Sequence, residues 1–426
     1  MTMNAFKQCI HWLGKFTSES MPLVLRAMCF LTTDCFHFRK SSSLAPSTRT
    51  RLAVALSKAV QALSVILSTA SVTTREDDEE LSSQQQVLPQ AFRDALACHM
   101  YMLFSVMNFA ESEAKISTKM ASGKRSENKA EIDENAALRA VCADAMLAAA
   151  TSMSKHRSKL WKCGVPDESV AILPCRIAYQ MLETATGVVA RKASSADAAL
   201  GMLAAAVDSS DSLIGTIVAA LVDLLHSYEH MAPLVADLCG LVSENHTNKL
   251  ALELLREIGR LDPNGGSSDG RASGVKYVAP LIGQIAMIRP RLVLSNISLL
   301  LPHLNSEPYQ LRSAIVCAIG HILVHIGKLQ NSKENNTNEA TADCPSSLNL
   351  TKSRNALLEI LLERSHDTSS FTRAAVLKSW ISIVESGSLP LERIMPVTAL
   401  AIDRLNDKTV MTRRCSMQVC FTLHNE

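Results

Sequence analysis

From residue 309 onward, apolar residues recur at intervals of three and four. After Arg312 come Ile315, Ile319, Ile322, Leu323 and Ile326, and after Arg373 come Val376, Leu377, Trp380 and Ile383. That spacing places each set on one face of an α-helix. Five polar stretches interrupt the pattern: Arg39–Arg51, Thr73–Gln86, Ser117–Glu134, Asp262–Gly274 and Gln330–Leu350. Each is too polar to build a core, so disordered linkers are expected there. Between them the chain reads as helix, with no alternating strand pattern. The boundaries suggest an N-terminal helical segment over residues 1–72, a helical domain over 87–260 and repeats over 275–426. Inside the middle domain, Ala232–Ser243 and Asn248–Gly259 read as a helix pair, with Gly259 as the C-terminal stop.

The last third carries a period. Asp367 and Arg373 recur as Asp407 and Arg413, 40 residues on, and a third window fits the frame with Arg312 and a displaced acid at Glu307. Removing the roughly 20 polar residues of Gln330–Leu350 brings Arg312 and Arg373 to the same interval, the helix-pair period of HEAT and armadillo repeats. The fold class predicted is all-α: an α-solenoid of HEAT-type helix pairs. In each window the Asp can accept from free N–H groups at the start of the second helix and complement its dipole. The Arg, one and a half turns later, can reach a carboxylate of the neighbouring unit. The plain expectation for Glu307, Arg312, Asp367, Arg373, Asp407 and Arg413 is that they tie repeats together rather than touch a ligand.

Composition adds limits. Apolar residues make up 47% and aromatic ones 4%, which favours Leu/Ala/Val-lined helix packing. The 43 basic and 41 acidic residues give a net charge of +2, so no global field favours nucleic acid and any DNA contact must come from local clusters. The candidates are Arg289 with Arg291, Arg413 with Arg414, and Lys155, Arg157 and Lys159. The 12 cysteines contain no Cys-x-x-Cys and read as reduced, buried thiols. No membrane segment is expected: Arg26 divides the early apolar stretch, and the run between Asp211 and Asp223 is too short for a bilayer.

Three chemical coincidences carry little weight. Gly266-Ser-Ser-Asp-Gly270 fits Gly-x-Ser-x-Gly but lacks the preceding strand that makes a nucleophile elbow. His226/His230 and His321/His325 read as histidines one helical turn apart, without the glutamate of a zinc protease or a third ligand. No phosphate-binding glycine loop appears, so no enzyme activity, cofactor or metal is expected.

Several ordered blocks resemble the condensin complex subunit 1 family, the HEAT-repeat non-SMC subunits of condensin I. They include His366-Asp-Thr-Ser-Ser-Phe-Thr-Arg-Ala-Ala-Val-Leu-Lys-Ser-Trp380, Ala399–Val410, Leu300–Val316, Leu255–Gly259, Tyr228–Pro233, Leu160-Trp161 and Tyr179–Glu183. The resemblance covers roughly residues 90–426, and residues 1–89 resemble nothing that carries a claim. It implies a non-catalytic subunit acting in mitotic chromosome condensation, located in the nucleus and on chromosomes with a cytoplasmic pool. The implied partners are the condensin kleisin, the SMC ATPase subunits and DNA, the last weak and non-specific, with no membrane. A HEAT/armadillo nuclear transport or trafficking adaptor is the alternative. Because family members are several-fold longer, the chain is expected to be a fragment. Its last helix is then expected to leave Met411, Cys415, Val419, Cys420, Phe421 and Leu423 as an uncovered apolar strip.

Overall fold

The computed structural model describes residues 127–161, 164–184, 194–228, 230–242, 244–261, 275–334 and 345–425, with single helical positions between 54 and 107. The continuous helices are α1 (Glu127–Lys155), α2 (Arg157–Leu160), α3 (Glu168–Thr184), α4 (Ser194–Ser209), α5 (Leu213–Ser227), α6 (Met231–Leu241), α7 (Glu244–Gly259), α8 (Val275–Ile288), α9 (Pro290–Ser295), α10 (Tyr309–Glu334), α11 (Pro345–Arg364), α12 (Ser370–Glu385), α13 (Leu391–Arg404) and α14 (Val410–Asn425). Two 3₁₀ turns, Ile297–Leu299 and Leu301–Asn305, bridge α9 and α10. No strand occurs among the described residues, so the all-α reading holds. Most of the N-terminal segment 1–72, the linkers Arg39–Arg51, Thr73–Gln86 and Asp262–Gly274, and the Gly266–Gly270 motif lie outside the described residues.

Two compact units share the chain: Met1–Ile217 with Leu241–His246, and Val218–Gly240 with Thr247–Glu426. In the first unit, α1 and α3 both pack on α4. Helix α4 is rich in alanine, and Ala196, Ala198, Ala199, Leu203 and Val207 are buried. Small side chains let helices approach closely, and Gly201 marks the tightest point: a Cβ there would stand 2.6 Å from Leu147 Cδ1. The turn after α2 uses Gly164 at φ 66°, the left-handed region that suits glycine. Beside it the buried Trp161 donates its indole N–H to the Asp167 carboxylate at 3.2 Å, and Arg93 Nη1 donates to the same oxygen at 3.0 Å. Arg157 Nη1 donates to the carbonyls of Asp208 (2.7 Å) and Ser209 (3.2 Å), groups that the end of α4 leaves unpaired.

In the second unit, α8, α10, α12 and α14 stack in sequence, while α11 packs on α10 and, less extensively, on α12, and α13 packs on α14. This is the helix-pair stacking that the period predicts. The α10–α12 contact is close because Gly320 faces Ser379, whose Oγ a Cβ would meet at 2.7 Å, and Gly327 in the same way faces Ser388 in the turn after α12, whose Oγ a Cβ would meet at 2.1 Å. Trp380 is fully buried. Helix α12 ends in a Schellman turn, with Gly387 at φ 60°, its N–H on Val384 O (2.8 Å) and Ser388 N–H on Ile383 O (3.0 Å).

Several expectations need correction. The polar stretch Ser117–Glu134 is not all linker, since α1 begins at Glu127, and Gln330–Leu350 contributes the end of α10 and the start of α11. The insertion thus largely lengthens helices: α10 has 26 residues against 16 in α12, and α11 has 20 against 14 in α13. Gly259 does end α7, but without positive φ. It is required by space, because a Cβ would lie 3.0 Å from Leu299 O. The second helix of that pair starts at Glu244, ahead of Asn248. Two stretches, Ala136–Lys155 and Tyr309–Gln330, are long and apolar enough to cross a membrane, contrary to the sequence reading. About half of each is buried in helix packing, and the second carries Arg312 in a buried ion pair. The apolar strip of α14 divides: Cys415 and Val419 are buried, while Met411 and Phe421 are exposed.

Candidate functional site

The recurrent Asp and Arg residues assemble into a ladder across successive repeats. Arg312 on α10 donates Nε to Asp367 Oδ2 at 2.9 Å and Nη2 to Oδ1 at 3.0 Å. Arg373 on α12 repeats the fork on Asp407, at 2.7 and 3.0 Å. The pairs are 55 and 34 residues apart in sequence, and the difference of 21 is the polar insertion. Each guanidinium also turns back on its own turn. Arg373 Nη1 donates to the carbonyls of Asp367 (2.8 Å) and Thr368 (3.1 Å), Arg413 Nη1 to those of Asp407 (2.7 Å) and Lys408 (3.2 Å), and Arg312 Nη1 to those of Ser306 and Glu307.

The aspartates act one step earlier than a helix cap. Asp367 accepts the Ser369 N–H at 2.8 Å, and Ser369 is the residue that caps α12 through Phe371 N–H; Asp407 likewise accepts Thr409 N–H at 2.9 Å. Glu307, read as a displaced acid, supplies only its carbonyl to Arg312. Its carboxylate is not in the ladder, and Ser306 stands six residues before Arg312 where the other windows have aspartate. Both Asp side chains are 3% exposed, so each charge depends on its partner. The Arg373 fork is the main cause, with Thr409 assisting, that holds the Asp407 carboxyl well below the usual carboxylate range despite burial.

A polar crevice of about 410 Å³ opens beside the first rung, walled by Ser306, Arg312, Arg364, His366 and Asp367. The terminal nitrogens of its arginines are already engaged with the protein. Arg364 donates to Leu304 O and Asn305 Oδ1, each at 3.0 Å. The sequence reading passed over Arg364 and Arg404, although they recur with the 40-residue period and His303 holds the same place in the third window. His303 is buried and links repeats differently, with Nε2 3.2 Å from Gly259 O and Nδ1 3.4 Å from Ser306 Oγ.

The other candidates separate. His226 lies in α5 but His230 in the turn before α6, stacked obliquely on Tyr228, so this pair does not share a helical turn. His321 and His325 do share α10; burial lowers both pKa values, and Arg291 and Lys328 lower that of His325 further. Among the described residues no cluster of three metal-ligating side chains occurs. Burial pushes the Cys175 and Cys239 thiols up to about 12, so neither supplies a thiolate near neutrality. Of the basic clusters, Arg413 is engaged with carbonyls, Arg289 is half-buried near Cys239, and Arg291 and Arg414 are exposed.

Comparison with known proteins agrees with the family resemblance. Residues 50–215 match the family described as non-SMC mitotic condensation complex subunit 1, N-term, so the matched region begins well before residue 90. The chain is 26% identical to condensin complex subunit 1 of Mus musculus over 261 residues, covering 61% of this chain and 18% of the relative. It is 27% identical to that of Homo sapiens over 261 residues, covering 61% and 17%. It is 25% identical to condensin-1 complex subunit CAP-D2 of Arabidopsis thaliana over 392 residues, covering 91% and 26%. The chain therefore spans about a quarter or less of the length of these relatives.

Proposed function

We propose that this chain is a non-catalytic HEAT-repeat segment of a non-SMC condensin subunit, acting in mitotic chromosome condensation by holding the kleisin and the SMC ATPase subunits. Its place is the nucleus and chromosomes, with a cytoplasmic pool. The observation that carries the reading is the similarity to condensin complex subunit 1 and CAP-D2, which extends over 91% of the chain in one relative. The ladder supports it physically. Buried bidentate pairs fix one repeat on the next, which suits a rigid scaffold more than a reaction centre. DNA contact through Arg291 and Arg414 is weak, independent of sequence and strongly salt-dependent, since so few exposed cations displace few counterions.

Affinity purification of the endogenous protein followed by mass spectrometry tests the reading. Kleisin and SMC subunits are expected to co-purify. Recovery of a small GTPase and localisation-signal cargo without them would overturn it in favour of a transport adaptor.

A further inference from the structure

We propose that the face formed by α8, α10, α12 and α14 docks an extended acidic polypeptide segment with bulky apolar side chains, one of which seats in the groove between α8 and α10. The first observation is the groove. It encloses about 490 Å³ and is walled by Ala279, Gly283, Met287, Ala314 and Cys317, with Phe371 at one end. Phe371 lies flat on Tyr309, ring centroids 4.8 Å apart at 18°, yet remains 53% exposed, and Met287 is 62% exposed. Large hydrocarbon groups thus flank the groove without protein covering them.

The second observation is charge. The four stacked helices contain only two acidic residues, Glu334 and Glu385, each the last residue of its helix. Helices α11 and α13 instead carry Glu359, Glu363, Glu392 and Asp403. No carboxylate lines the groove. Lys378 reaches it electrostatically, acting on the Cys317 thiol in its wall, and Lys378, Lys328 and Arg414 are exposed on the same helices.

Together these select an occupant. Phosphates gain nothing from Met287 and Phe371, whereas a peptide that alternates carboxylates with Leu or Phe satisfies both features. Three helix-to-helix steps of about 10 Å each make a face about 30 Å long, which an extended chain covers in about ten residues. The inference rests on the scaffold reading above and adds the chemistry and the address of the segment held.

The test uses the full 426-residue chain and a fluorescein-labelled 12-residue probe alternating Asp or Glu with Leu or Phe. A counterpart carrying Asn and Gln serves as control, both followed by fluorescence anisotropy. The acidic probe is expected to bind at least ten-fold more tightly than the neutral one. Lys378→Glu and Met287→Asp change exposed residues and should each weaken it about ten-fold with an unchanged circular dichroism spectrum. Gly283→Leu should do the same by filling the groove, since a Cβ there meets only Cys317 Cβ, at an ordinary 3.8 Å. Equal binding of the two probes, or insensitivity to all three changes, would overturn the proposal. So would displacement of the probe by duplex DNA with the same Lys378 dependence, which would make the face a nucleic-acid surface. Retained kleisin and SMC co-purification beside a silent probe would overturn the docking proposal alone and leave the scaffold reading standing.

Discussion

The first unit joins helices through smallness, the second through smallness reinforced by charge. In the first, α4 offers alanines and Gly201 to α1, and the Arg93–Asp167 pair sits at the surface with Asp167 57% exposed. In the second, Gly320 gives α10 and α12 a similar close approach, but forked Arg–Asp pairs also run from α10 to the turn before α12 and from α12 to the turn before α14, with both carboxylates almost fully covered. Apolar contact tolerates sliding along a helix, because it is non-directional. A bidentate guanidinium does not, so each of these two boundaries has its register specified at one point.

The comparison breaks most visibly if a rung is removed. Arg312→Ala leaves Asp367 buried without its counter-charge, and an expected loss of about 3–5 kcal/mol follows from stranding such a charge. Urea denaturation measures it, and a loss below about 1 kcal/mol would mean that the rung is dispensable. The double change Arg312→Ala with Asp367→Ala should cost less than the single one, since no charge is then stranded. The glycine contact ranks next. Gly320→Ala adds a methyl group where Ser379 stands 2.7 Å away and should cost about 1–3 kcal/mol despite better helix propensity. Pairing it with Ser379→Ala should recover part of the loss, because Cβ of residue 379 would still remain close.

How much of this the sequence disclosed follows the same division. Arg312, Asp367, Arg373, Asp407 and Arg413 were legible because a directional pair repeats with the helix-pair period, and the offset between rungs even exposed the insertion. Glu307 misled because an acid one position from its expected place looks equivalent, whereas the fork requires Ser306's position in the turn. Arg364 and Arg404 repeat as well, but Arg364 leads to a carbonyl and an asparagine amide oxygen, whereas Arg404 leads to a histidine and a carboxylate, so their period carried no single role. The glycine–serine contacts left no periodic trace, since which serine meets Gly320 depends on packing across 59 residues of sequence. Arg157 was read as part of a basic cluster; its actual partners, the last carbonyls of α4, have no side-chain signature at all.

A smaller effect sharpens the ladder's electrostatic half. Asp407 has its pKa depressed chiefly by Arg373, so its contribution is complete above the unfolded carboxylate value of about 3.9 and is lost as pH falls towards the lower folded value. Asp407→Asn keeps an oxygen for Thr409 N–H but removes the charge, and should cost about 2 kcal/mol at pH 7. In thermal melts from pH 7 to pH 2 the gap between the two proteins should begin to close below about pH 4 and narrow continuously towards pH 2. A constant gap across that range would assign the rung's contribution to shape rather than charge.

The smallest expected effect belongs to the first unit. Arg93 meets Asp167 at 3.0 Å, the same length as one arm of the second unit's forks, but the carboxylate is 57% exposed and contacts Arg93 through one nitrogen. Water can replace that partner, so Arg93→Ala should change stability by no more than about 0.5 kcal/mol, and the change should shrink in 0.5 M salt. Trp161 keeps its own bond to the same carboxylate, which holds the turn after α2 in place when the arginine is gone. A loss comparable to that of Arg312→Ala would mean that a surface ion pair organises the first unit as strongly as a buried rung organises the second. Distance alone, rather than burial and bidentate geometry, would then govern what these pairs contribute.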